Sequence, residues 1–129
     1  MTQEISSEGV LLALIADASG IAEGIYPLTD TALPLQSLMR KHKKGHLVPM
    51  HSHKRISKTT EQLNEGLVVI SGTLSVTISN NENKNVGVYA VSAGQCLLML
   101  DGWHSVEVAE DAVFYEFKNG PYIEDKVVM

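Results

Sequence analysis

The sequence has one cysteine, Cys96, in 129 residues. Without a second thiol there is no intrachain disulfide framework and no cysteine-rich zinc site, so packing, aided at most by one metal, must stabilise the core. Long apolar runs are also lacking. The longest, Val10 to Ala16, is about a third of a membrane span. No basic stretch leads into a long apolar segment at the N-terminus, so a cytoplasmic protein with no membrane partner is expected. Positive charge is in short supply, with ten Lys plus Arg against fifteen Asp plus Glu and a net charge of −5. That balance disfavours a broad contact with phosphate backbones, and nucleic acid is not an expected partner. The motifs GxGxxG, GxSxG and HExxH and the P-loop are missing, leaving dinucleotide binding, serine or zincin hydrolysis and phosphate cradling without support.

What is present suits a small folded protein. The apolar share is 44% and the charged share 19%, and the length fits a single domain over residues 1–129. Most apolar segments are short, rich in Val, Ile and Leu, and punctuated by Gly, Pro, Asn, Asp or Ser. That rhythm predicts an all-β chain, a sandwich or barrel. Strands are predicted at Gly9 to Ala16, Ala22 to Leu28, Leu35 to Lys41, His46 to His53, Gly66 to Ser79, Val86 to Val91, Gln95 to Leu100, Ser105 to Ala109 and Val113 to Lys118. The best helix candidate, Ser57 to Asn64, is short and weakly amphipathic. Leu74, Val76 and Ile78 alternate with Ser75, Thr77 and Ser79, and Val113, Tyr115 and Phe117 with Phe114, Glu116 and Lys118, so one set of each should face inward. The run Asn80 to Asn85 reads as a hairpin tip.

His51 and His53 stand two apart after Pro49. In a strand both rings project from one face, with Cα atoms about 6.6 Å apart. The pair is either two ligands of one ion or two exposed histidines in a polar loop.

Gly45, His51, His53, Glu65 and Gly72, followed by Gly94 to Gly102 and His104, resemble the two motifs of the cupin superfamily. The tail Glu116-Phe117-Lys118-Asn119-Gly120-Pro121-Tyr122, then Asp125-Lys126, is similar to that of small bacterial WbuC-type cupin-fold metalloproteins found among surface-polysaccharide genes. The resemblance implies a double-stranded β-helix, or jelly-roll, cupin barrel. It also implies one divalent metal ion (Fe, Mn, Ni, Co or Zn) held by His51, His53, Glu65 and His104. Eleven residues separate His53 from Glu65, so Glu61 competes as the carboxylate, but Glu65 keeps the six-residue spacing to Gly72. Three imidazoles and one carboxylate leave a six-coordinate ion two open positions for water or substrate.

The implied function is a metal-dependent enzyme acting on a small polar, carbohydrate-derived substrate. The alternatives are a non-catalytic module that anchors a sugar or acid through the metal, and an iron dioxygenase. No catalytic residue is assigned. Arg55, in the insertion between ligands, and Trp103, beside His104, are candidate substrate contacts, against the plainer readings of an exposed side chain and a rim or core aromatic. The basic run Arg40 to His46 reads as a solvated turn or as an attractor of anions, and Cys96 as an inert buried thiol. The exposed edge of the N-terminal strands favours a homodimer.

Overall fold

A computed structural model describes residues 1–128. Among these residues there is no helix, as the short apolar runs require. There are eight strands: β1 (Thr2–Ser7), β2 (Val10–Asp17), β3 (Gly24–Pro27), β4 (Leu38–Lys41), β5 (Glu65–Ser79), β6 (Asn85–Ser92), β7 (Gln95–Met99) and β8 (Trp103–Lys118). All pairings are antiparallel. Strands β3 and β4 form a separate ribbon. The other six make one sheet in the order β1-β2-β7-β5-β6, with β8 along the opposite edge of β5. This sheet curls into a half-barrel.

The alternation Leu74, Val76, Ile78 buries as expected, and Leu67 and Val69 continue the same buried set in the first half of β5. Residues directly opposite in antiparallel pairs share a face, so Leu67, Leu97 and Ile15 form one inward row across β5, β7 and β2. Each fully buried side chain of this kind contributes about 1.5–3 kcal/mol before entropy costs. The reverse face carries a smaller cluster of Leu14, Leu98 and Leu100, packed against Leu28, Leu33 and Leu35. Gly66 lies beneath that cover. A Cβ there would meet Leu98 at 3.2 Å and Leu35 at 3.6 Å.

Strand β5 changes its neighbour partway, pairing with β7 through Glu65–Val68 and with β6 through Thr73–Ser79. Gly72 sits at the break with φ of 78°, and a Cβ there would collide with the Asp111 carbonyl oxygen. Register shifts between Val69 and Leu74 absorb the extra residues of β8. The two strands predicted at Ser105 to Ala109 and Val113 to Lys118 are therefore one continuous strand.

Other expectations change too. Residues 46–64 contain neither strand nor helix, so His46 to His53 is not a strand, while the weak helix candidate Ser57 to Asn64 is an irregular linker. Strand β1 was not predicted because its sequence is polar, with one buried apolar side chain, Ile5. Val113, Tyr115 and Phe117 are exposed, while Glu116, paired with Leu67, lies on the concave face. The expected hairpin tip is present, with Asn80 Oδ1 accepting from the Glu82 and Lys84 N–H groups at 3.0 and 2.9 Å.

Candidate metal centre

Glu65 opens β5 and His104 is the second residue of β8. Curling of the sheet brings His104 Nε2 to 3.8 Å from Glu65 Oε1, with both side chains partly buried. That separation is too long for a hydrogen bond. It is short enough for both groups to reach one cation. Both line a cavity of about 790 Å³ in the concave face, together with Met99, Trp103, Glu116 and Lys118.

His51 and His53 lie on the exposed segment, and neither lines this cavity. Their ring centroids are 5.1 Å apart at an interplanar angle of 74°. His51 Nδ1 is 2.7 Å from the Pro49 carbonyl oxygen. That oxygen can only accept, so Nδ1 carries the proton and, in the neutral ring, Nε2 keeps the lone pair a metal needs. Among the described residues no group of three or more His, Cys, Asp or Glu side chains is gathered as a metal site. Glu65 and His104, one carboxylate and one imidazole on the concave wall, suit a divalent ion and make half of the expected quartet.

Glu61 is exposed and lines a smaller cavity of about 190 Å³, apart from Glu65. Arg55 is exposed on the same segment as the two histidines. Trp103, half-buried at the start of β8, borders the larger cavity two strands from Met99.

A polar buckle secures the start of β5. The Asn64 N–H donates to Asn119 Oδ1 at 2.8 Å, and Asn119 Nδ2 donates to Thr60 Oγ1 and the Gln62 carbonyl at 3.2 Å each. Asn64 Nδ2 and Gln62 Nε2 both donate to the Leu100 carbonyl. Asn64 is fully buried, and its Oδ1 has no hydrogen-bond partner among the described residues.

No residue of the basic run lines either of these cavities. His42 and His46 stack in parallel with centroids 3.9 Å apart, and Arg40 Nε donates to His42 Nε2 at 3.1 Å. Desolvation, then the charges of His46 and Arg40, holds the His42 pKa below 6.5. Cys96 is partly buried, and burial raises its pKa, consistent with an unreactive thiol.

Sequence reasoning overlooked Glu116, Lys118 and the C-terminal residues Tyr122, Glu124 and Lys126 as cavity lining. The signal for the first two was the period-two row Phe114, Glu116, Lys118, whose polar members suit a wet concave face better than a dry core.

Compared with known proteins, the chain matches no family model, no curated protein and no solved structure.

Proposed function

We propose that this protein is a metal-binding jelly-roll protein that uses the ion to hold, and as an enzyme to transform, a small polar ligand in the concave cavity. The observation that carries the reading is the approach of Glu65 and His104 to 3.8 Å on the cavity wall, although they are far apart in sequence. His51 and His53 supply the remaining donors when segment 45–54 lies over the open side of the half-barrel.

The open side is suited to such a cover. Among the described residues β8 pairs only with β5, so its other edge has free backbone donors and acceptors. Val106 and Val108 share the inward face with Val76 and Leu74 but remain exposed, as do Leu47 and Met50 on the segment. Burying these apolar side chains against one another favours closure. A bound ion would supply charge stabilisation and an anchoring point for a carbonyl or vicinal diol. The chain's own residues position the donors: the Pro49 carbonyl orients His51, and the Asn64–Asn119 buckle secures the backbone next to Glu65.

The test is metal stoichiometry and thermal shift with Fe, Mn, Ni, Co and Zn. A ligand that binds only the native state at 100 times its Kd adds about 2.7 kcal/mol of stability. One ion per chain is expected. His104→Ala, His51→Ala and Glu65→Gln should weaken binding strongly, while Glu61→Gln and His42→Ala should leave it intact. If His104→Ala kept full stoichiometry and affinity while Glu61→Gln lost them, the donor set would be wrong. Turnover of candidate sugars by the loaded protein, with oxygen uptake for iron, separates an enzyme from a binding module.

A further inference from the structure

The cavity that holds Glu65 and His104 is walled on its other side by the C-terminal segment, through Tyr122, Glu124 and Lys126. Asn119 fixes the root of this segment to residues 60–64 through three hydrogen bonds. Glu124 is held in place within it. The Tyr122 hydroxyl donates to Oε2 at 2.8 Å and the Lys126 N–H to Oε1 at 3.2 Å. These bonds, that of Tyr122 first, keep the carboxyl below its usual pKa and so ionised near neutral pH.

The charges are unevenly distributed. On the sheet, Lys118 lies 3.7 Å from Glu116. A cation between Glu65 and His104 would absorb the Glu65 charge. Lys118 also acts on Glu124, yet Glu116, Glu124 and Asp125 together still exceed Lys118 and Lys126 by one negative charge. This end of the cavity therefore favours a positive group on its ligand and disfavours a phosphate. Trp103 offers an apolar ring with a polar edge, suited to the C–H face of a sugar ring. The volume of about 790 Å³ falls in the range of small-molecule sites, roughly 300–1,000 Å³.

We propose that the C-terminal segment is the specificity-determining wall of the ligand site, and that the ligand is a hydroxyl-rich molecule bearing an amine, its ring on Trp103 and its ammonium on Glu124. The proposal rests on the small-polar-ligand reading above and names the class.

Trp103 is the only tryptophan in the chain, so its fluorescence reports on the cavity directly. The metal-treated protein is titrated with glucosamine, glucose and glucose 6-phosphate, and bound metal is measured on the same samples. Glucosamine should give a saturable change at a Kd at least about tenfold below that of glucose, with glucose 6-phosphate weakest; tenfold is about 1.4 kcal/mol. Glu124→Gln should bring glucosamine and glucose to equal affinity. Tyr122→Phe, which frees the carboxylate without removing it, should reduce the preference only in part. Equal affinities in the unaltered protein, a preference that survives Glu124→Gln, or no saturable response in protein carrying its ion would each overturn the proposal. A glucosamine preference in protein that holds no ion would instead overturn the metal reading and leave this one standing.

Discussion

The half-barrel has two unlike sides. On the β2-β7 side, both faces of the sheet are covered, the inner by Ile5, Ile15 and Leu97 and the outer by Leu98 under Leu33 and Leu35. On the β8 side, Val106, Val108, Tyr115 and Phe117 are all exposed, one edge of β8 is unpaired among the described residues, and His104, Glu116 and Lys118 line the cavity. The difference separates a packed side, which carries much of the buried core, from an open side, which carries much of the cavity lining, the two being joined through β5. The covered side can hold the fold while the open side remains free to change its cover.

The largest expected effect tests this division directly. Leu97→Ala, at a site with no exposure, should cost about 2–5 kcal/mol in urea denaturation. Val108→Ala, at a site 52% exposed, should cost under about 0.5 kcal/mol. A Val108 cost that rises when metal is added would sharpen the comparison, since it would show the open side being covered.

Next in size is Gly72→Ala. It sets both a positive φ and a collision with the Asp111 carbonyl against the fold, and should lower stability by about 1–3 kcal/mol in thermal unfolding. A neutral result would mean that β5 is not continuous across the two halves.

Cys96, on the covered side, should react slowly with a thiol-specific disulfide reagent in the native protein and at the rate of a free thiol in denaturant. Fast native labelling would put that face in solvent.

The smallest effect concerns Asp17 at the end of β2. Ser19 donates to its Oδ1 from both hydroxyl and N–H, at 2.6 and 2.8 Å, and Gln95 donates to Oδ2 at 3.0 Å, lowering its pKa to about 2. A depressed carboxylate stabilises the fold above its unfolded value, near 3.8, and that contribution is lost as pH falls through about 2. In acid denaturation profiles, Asp17→Asn should lose a small stability increment above pH 4 and show a flatter decline between pH 4 and 2.

The sequence made the buried face of β5 legible because burial imposes a strict pattern. Leu74, Val76 and Ile78 could only alternate if one face were dry. The open side is harder to read. The row Val113, Tyr115, Phe117 has the apolar pattern of a core strand, yet it faces outward, because the paired residues Glu116 and Leu67 decide which face is concave. The segment His46 to His53 has strand-like residue types, but a strand also needs hydrogen-bonding partners, which no local pattern guarantees. Strand β1 is the opposite case: Thr2–Ser7 looks polar and becomes a strand through its pairing with β2. Motif spacing singled out Glu65 and His104, which the structure brings to the cavity wall, but not Glu124, since only the path of the chain after Pro121 brings it to the cavity.

The position of β7 has a consequence for assembly in time. It lies between β2 and β5, with Ala13 opposite Met99 on one edge and Glu65 opposite the same residue on the other. The hairpins β1-β2 and β5-β6 join neighbours in sequence and can form within about 1–10 μs each. The centre of the sheet must wait for a strand made much later in the chain, and the loop it closes is long. Folding should therefore be limited by the insertion of β7, on the millisecond-to-second scale roughly typical of non-local β pairing. Until β7 arrives, the edges of β2 and β5 that it will join remain unpaired, and a nascent chain stalled before Gln95 would carry both as sites for adventitious strand addition.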